Sequence, residues 1–208
     1  NFGQSIILGS AANFAVFSAN GAVSNTSISH ITGNVGTNSG SSTGFGNVNG
    51  VMHDNDGATA QCVVDLMVAY NQLNIAIPTF FPSTLLGNSD TLEAGVYSIA
   101  TAATLNSVLI LDAQGDPNAK FIFQINGAFS TSANAKIKLI NGALACNVFW
   151  KIEGLVSIAP GTFMKGTIIA NNGAINLTTN DTIEGRILST TGAITIDGSL
   201  VYTPIGCS

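Results

Sequence analysis

The amino-acid sequence predicts a fold dominated by β-structure, a solenoid of stacked coils with one helix. Three observations point there. Residues 121–130, 148–157, 167–176 and 186–195 superpose as an apolar β-branched or aromatic run followed by Gly, a small or apolar residue, an apolar residue and a short polar one. The glycines at 154, 173 and 192 are spaced 19 residues apart, and strand-like sequence at a fixed period near 20 residues is the signature of a coil stacked on its neighbours. The period becomes helical in one segment, residues 57–76.

In chain order, residues 8–24 already read as a coil, because Asn20-Gly21-Ala22-Val23-Ser24 repeats Asn172-Gly173-Ala174-Ile175-Asn176. Residues 31–57 are rich in Gly, Ser, Asn and Thr without periodicity and read as turns and a loop. In the segment that follows, Val63, Leu66, Met67, Tyr70 and Leu73 recur at helical spacing, Asp56 is placed as N-cap and Pro78 stops the run. This makes one amphipathic helix of about five turns, whose stripe needs a side of the solenoid to cover it. Residues 79–93 read as a connection. Strand patterns return over 95–113, where Ala100, Ala102 and Thr104 align with Asn126, Ala128 and Ser130. The turn Gly115-Asp116-Pro117-Asn118 then separates two strand-like runs. No linker divides the chain, so residues 1–208 are expected as one domain.

A chain of 208 residues with 46% hydrophobic residues has enough material for a full core. Charged residues make up 8%, against roughly 25% in ordinary globular proteins, so the surface must be coated with Asn, Ser, Thr, Gly and Ala. The net charge of −5 argues against the basic footprint of a nucleic-acid binder. No apolar run reaches the length of about 18 residues that suggests a membrane span. No signal peptide is visible at Asn1, and a start after a cleavage site is left open. The spacing of Cys62, Cys146 and Cys207 excludes a C-x-x-C metal motif. One disulfide with a free thiol, and no disulfide, are both open; Cys146, between apolar residues, reads as a buried small hydrophobe.

Alternation along a strand sends successive side chains to opposite faces. With the isoleucines inward, the outward residues are Thr191, Ala193 and Thr195 on one rung and Asn172, Ala174 and Asn176 on the next. Further rungs present Glu153, Leu155 and Ser157; Asn126, Ala128 and Ser130; Ala100, Ala102 and Thr104; and Asn20, Ala22 and Ser24. The result is a grid of small residues, interrupted by Glu153, with rungs about 4.7–4.9 Å apart. A plain solenoid wall would carry Lys and Glu for solubility and against edge pairing. Small outward residues also suit tight coils, but the scarcity of charge favours a wall kept flat for binding.

The succession LGSAANFAVFSANGAVS, HITGNVGT, VVDLMVAY, LEAGVYS, FIFQINGAF, NGALACNVFWKIEG, GTIIANNGAIN and EGRILSTTGAIT resembles the microbial ice-binding proteins of the DUF3494 family over nearly the whole chain. The resemblance implies a right-handed, discontinuous β-solenoid of triangular cross-section with one long helix alongside. It also implies that the N-terminal coil packs beside the C-terminal coil, and that one flat face binds ice, inhibiting its growth and recrystallisation. Many members carry T-A/G-x-T/N on that face; Gly192-Ala193-Ile194-Thr195, Gly173-Ala174-Ile175-Asn176 and Gly21-Ala22-Val23-Ser24 match it with Gly in place of the first Thr. The candidate ice-binding residues are Asn20, Ala22, Ser24, Ala102, Thr104, Ala128, Ser130, Ser157, Asn172, Ala174, Asn176, Thr191, Ala193 and Thr195. The expected partner is an ice crystal surface, without nucleic acid, membrane, metal or cofactor. A secreted or cell-surface monomer is expected, with membership of a longer multidomain chain left open.

Other constellations are weaker. His53-Asp54-Asn55-Asp56-Gly57 lacks the closing Glu of a calcium loop and reads as a helix cap. No nucleophile-elbow motif accompanies His30 or His53, and no carboxylate cluster suits a solenoid glycosidase, so no enzyme is expected. Alternation puts Glu184 and Arg186 on one face as an ion pair. Asn25, Asn176 and Asn180 begin N-x-S/T sequons, meaningful in a glycosylating host. The alternative from another class is a solenoid adhesin or carbohydrate-binding module; aromatic content of 7%, with Trp150 reading as core or adjoining wall, speaks against it.

Overall fold

The computed structural model describes residues 5–207; residues 1–4 and 208 lie outside the described part. Short strands joined by tight corners wind into coils, and every strand pairs in parallel with its counterpart one coil away. Three walls result. The first runs through Gly95–Ile99, Phe121–Ile125, Val148–Glu153, Phe163–Asn171, Thr182–Ser189, Phe14–Ser18, Asn34–Thr37 and Met52–Asp54. The second runs through Thr91–Glu93, Val108–Asp112, Lys136–Ile140, the leading parts of Phe163–Asn171 and Thr182–Ser189, then Leu200–Tyr202, His30–Thr32 and Val48–Asn49. The third is a separate eight-stranded sheet, in the order Leu85–Gly87, Ala103–Asn106, Phe129–Thr131, Val156–Ile158, Ile175–Leu177, Ile194–Asp197, Val23–Thr26 and Ser42–Thr43.

The stack is discontinuous in sequence. Val16 pairs with Ile187, Val23 with Ile194 and Ile31 with Val201, so the N-terminal coil lies on the C-terminal one, as the resemblance implies. The chain reaches one end of the stack at Met52–Asp54 and returns along the first wall as the helix Gly57–Ile75. Nineteen helical residues span about 28 Å. Six strand steps, from Met52–Asp54 to Phe121–Ile125, span about 29 Å. The helix is therefore as long as the part of the stack it must cross.

Asp56 caps the helix as expected. Its carboxylate accepts the Thr59 amide at 2.9 Å, and Thr59 Oγ1 accepts the Asp56 amide at 2.9 Å. At the other end Gln124 Nε2 donates to the carbonyls of Leu73 and Ala76, both at 2.8 Å, satisfying groups the helix leaves open. The buried stripe is Cys62, Leu66, Ala69, Leu73 and Ala76, packed among Phe14, Phe17, Ile122, Phe149, Ile169 and Leu188. This is rotated from the expected stripe: Leu66 and Leu73 are buried, Val63 and Tyr70 are half-buried, and Met67 is 36% exposed. The helix is apolar on most sides, so sequence spacing identifies a helix without identifying its inner face. Small residues, Cys62 and Ala69, let it approach the wall.

Inside the coils, the rings of Phe80, Tyr97, Phe123 and Trp150 stack in one column at centroid separations of 4.8, 5.3 and 4.0 Å. Trp150 is core, and its indole N–H donates to the Lys165 carbonyl at 3.0 Å. Stacking at strand spacing follows from the register Tyr97–Phe123–Trp150.

Three expectations are corrected. Residues 31–57 and 79–93 are not loops: they build coils at the two ends, with strands at His30–Thr32, Asn34–Thr37, Ser42–Thr43, Val48–Asn49, Met52–Asp54, Leu85–Gly87 and Thr91–Glu93. An end coil is covered on one side, so it needs few apolar residues and loses the alternation that marks a strand. Glu184 and Arg186 do not pair. The chain turns the corner between the second and first walls at Gly185, which breaks the alternation. Glu184 pairs with Lys165, while the buried Arg186 donates to the Ala12 carbonyl and Thr167 Oγ1. Cys146 is bonded to Cys207, and the buried free thiol is Cys62.

Asp181 is buried at the remaining corner, where its carboxylate accepts the amides of Thr162 at 3.0 Å and Thr178 at 2.9 Å. Burial pushes this carboxyl up to about 7 against the pull of those amides. Between the ordinary carboxylate value and that point the folded chain holds a proton the unfolded chain has lost, so stability falls as pH rises through this window. Melting temperatures at the two ends of the window are expected to show that decline, and Asp181→Asn to flatten it; an equal slope in the variant would refute the assignment.

Truncation separates the two helix faces. Leu66→Ala is expected to lose about 2–5 kcal/mol, and Met67→Ala no more than about 0.5 kcal/mol, in urea unfolding. A second pair of variants tests the corners. Gly173→Ala would drive a methyl into the Gly154 carbonyl and is expected to cost more than about 2 kcal/mol. Gly46→Ala, with open space around it, is expected to be neutral or slightly stabilising.

Candidate functional site

The third wall is the one built from small residues. Its register places Thr43, Ser24, Thr195, Asn176, Ser157, Ser130 and Thr104 directly opposite one another on successive strands. Each of these seven rungs therefore offers one hydroxyl or amide, about 4.7–4.9 Å from the next. Two residues earlier on each rung stand Ser41, Ala22, Ala193, Ala174, Leu155, Ala128 and Ala102, tied by backbone hydrogen bonds such as Ile194 N to Ala22 O at 2.9 Å and Ile175 N to Ala193 O at 3.0 Å. A polar column and a second column, alanine at five of its seven positions, thus run side by side. Beneath them Val23, Ile194, Ile175, Val156 and Phe129 are fully or almost fully buried, which holds the strands from below.

Neighbouring polar side chains also hold one another. Thr195 Oγ1 donates to Asn176 Oδ1 at 2.7 Å, and Thr104 and Ser130 share a hydroxyl–hydroxyl bond at 3.1 Å. These contacts fix rotamers before any ligand arrives, which lowers the ordering cost of binding.

The glycines explain how the wall stays regular. A Cβ on Gly173 would strike the Gly154 carbonyl, one on Gly192 that of Gly173, one on Gly21 that of Gly192, and one on Gly40 that of Gly21. These four coils enter the third wall through the same tight corner. Asn20, Thr191 and Asn172 stand just before these glycines: they are exposed and form the rim of the wall, not its flat part. Asn172 takes a left-handed backbone, φ 52°, which Asn tolerates.

Glu153 is absent from the grid. Past the corner at Gly154, φ 135°, alternation is lost, and the carboxylate turns to the helix. It accepts Tyr70 Oη at 2.6 Å and Asn171 Nδ2 at 2.8 Å and pairs with Lys151 at 2.8 Å. Burial opposes its ionisation, but those bonds outweigh burial and hold its carboxyl below the ordinary value. Its removal leaves both columns uncharged. The larger side chains that project there are Leu155, 44% exposed, and Leu85, 46% exposed.

Ser41 and Thr43 were not among the candidate residues. The signal was present, since Gly40-Ser41-Ser42-Thr43 follows Gly21-Ala22-Val23-Ser24 by the same 19 residues. It is masked by Ser42, which stands where the next four rungs have Val or Ile and is bonded through its amide and hydroxyl to Asp54 at 2.8 and 2.7 Å. Asn25, read as a sequon, is buried, with its amide donating to the carbonyls of Ser27 and Gly44.

The other two walls differ. The helix covers the first. The second presents Lys136, Lys138, Phe163, Leu200 and His30, long side chains that leave no flat area.

A family model described as ice-binding-like matches residues 17–202. An ice-binding protein of Nostoc sp. (strain HG1) is 41% identical over 199 residues, covering 94% of this chain and 73% of that protein. The crystal structure of an ice-binding protein from an Antarctic Flavobacteriaceae bacterium superposes with a TM-score of 0.97 at 56% identity, over 99% of this chain. This chain spans 48% of that longer protein. The ice-binding protein of the Antarctic ascomycete Antarctomyces psychrotrophicus superposes with a TM-score of 0.91 at 34% identity, covering 95% of this chain and 98% of that one. Sequence, fold and the small-residue wall agree: this chain belongs to the ice-binding-like family.

Proposed function

We propose that this chain is an ice-binding domain that adsorbs to ice through the third wall. The observation that carries the reading is the unbroken polar column Thr43–Ser24–Thr195–Asn176–Ser157–Ser130–Thr104 beside a mainly alanine column. Ice is water at fixed spacings, so its ligand needs repeated spacings over an area more than one strong contact. Methyls order the adjacent water, and hydroxyls and amides anchor it. Charges would hold water in other arrangements, and the wall has none in its two columns. Adsorbed molecules pin a growing crystal front and restrict recrystallisation. The flat centre comprises Ala22, Ser24, Ala193, Thr195, Ala174 and Asn176, with Asn20, Thr191 and Asn172 at its rim; Ser157, Ala128, Ser130, Ala102 and Thr104 extend it past Leu155.

The reading includes no catalysis, no cofactor and no nucleic-acid or membrane partner, and a monomer in solution. The disulfide Cys146–Cys207 supports an oxidising location, outside the cell or on its surface.

Ala193→Tyr or Thr195→Tyr raises a ring above the flat centre. Stability is expected to change by about 0.5 kcal/mol or less, since both residues point outward. Ice shaping and recrystallisation inhibition are expected to fall sharply. Lys138→Tyr, on the second wall, is expected to leave both intact. Full activity in the folded Ala193→Tyr and Thr195→Tyr proteins would place the site on another face.

A further inference from the structure

The second wall carries its own feature. The chain has six lysines and arginines, and three of them, Lys136, Lys138 and Lys165, border one shallow open cleft of about 400 Å³ beside the Cys146–Cys207 bridge. Phe163 and Ile205 supply apolar lining, 46% and 70% exposed. Lys165 is neutralised by Glu184 at 2.5 Å. Lys136 and Lys138 form no ion pair among the described residues; Lys136 Nζ lies 5.7 Å from the centroid of the Phe163 ring. Standing two apart on Lys136–Ile140, the two side chains leave the same face of a rigid strand from backbone positions about 6.6–6.8 Å apart. In a protein of net charge −5 with so few cations, Lys138 has no ion pair among the described residues, and Lys136 has only its contact over the face of the half-exposed Phe163 ring.

We infer that this cleft binds an acidic polysaccharide, its carboxylate or sulfate groups meeting Lys136 and Lys138 and a sugar face resting on Phe163. The chemistry discriminates among polyanions. Nucleic acids and anionic membranes present wide, dense negative charge that the rest of this acidic surface repels, and membrane recognition uses clusters of about 4–8 basic residues. A single flexible chain can lie along the cleft and avoid that surface. An aromatic ring beside the cations adds a contact that sugar rings use and simple anions do not. Each site is weak and salt-sensitive, and a polymer with many repeats gains by avidity. The inference goes beyond the ice-binding reading: with the third wall on ice and the second on a polymer, the domain would join a polysaccharide matrix to a crystal surface.

The test is titration of the folded protein with polygalacturonate and with dextran sulfate, which separate carboxylate from sulfate, with neutral dextran and polyglutamate for comparison. Binding of at least one acidic polysaccharide is expected, with no binding of dextran. The double variant Lys136→Glu/Lys138→Glu is expected to weaken it at least tenfold, and Phe163→Ala at least threefold, with ice shaping unchanged in both. Raising salt from about 50 to about 500 mM is expected to abolish it. Failure of the wild type to bind either polymer, or undiminished binding by the double variant, overturns the proposal. Equal binding of polyglutamate with no effect of Phe163→Ala also overturns it, by showing a charge-only surface. Thr195→Tyr is expected to retain polymer binding, so failure here and failure of the ice-binding reading are told apart.

Discussion

Everything in this fold depends on how closely one coil lies on the next. Parallel backbone pairing sets the spacing, and at the corner entering the third wall it brings the carbonyl of one coil to where the next coil would have a Cβ. Gly173, Gly192, Gly21 and Gly40 answer that constraint in order along the stack, although the chain passes through them in another order. With the corners identical, the strands that follow start in register. Hydroxyls then fall opposite hydroxyls, methyls opposite methyls, and Ile194 opposite Ile175 and Val23 below. The regular surface is a consequence of a regular corner.

The same spacing decides what the interior and the flanks can be. Rings in register stack face to face through Phe80, Tyr97, Phe123 and Trp150. The helix closes the first wall and hides Phe14, Phe17 and Phe149, which would otherwise be an apolar surface on a second side. Two ion pairs lie at the helix margin and on the second wall: Glu153 with Lys151, and Glu184 with Lys165. Placement of this kind keeps the two columns of the third wall uncharged in a molecule that still carries net charge for solubility.

The repeat made most of this legible in the sequence. The 19-residue period and two-residue alternation located the strands, and eleven of the candidate residues, Ala22 through Thr195, fall in the two columns. Alternation fails where a strand ends, which is why Asn20, Thr191 and Asn172 lie on the rim, Glu153 turns to the helix, and Glu184 and Arg186 part at Gly185. The end coils were illegible because half of their surroundings is solvent, and residues such as Ser42 replace the apolar signal with a hydrogen bond. The helix face was illegible because hydropathy is spread round the helix. The disulfide joins residues that only the fold brings together.

The discontinuity of the stack has a temporal side. The flat centre joins Val23–Thr26 to Ile194–Asp197, strands near opposite ends of the chain. A chain leaving the ribosome holds Ala22 and Ser24 early, but their neighbours Ala193 and Thr195 arrive almost last. The coils between can stack from the far end toward this seam, each on a neighbour already present, while the seam itself awaits the final strands. Contacts this distant in sequence slow folding and leave a long exposure of unpaired strand edge. No amino-terminal fragment short of those strands contains the centre of the wall, so the molecule acquires its flat face as a closing event and not by gradual extension.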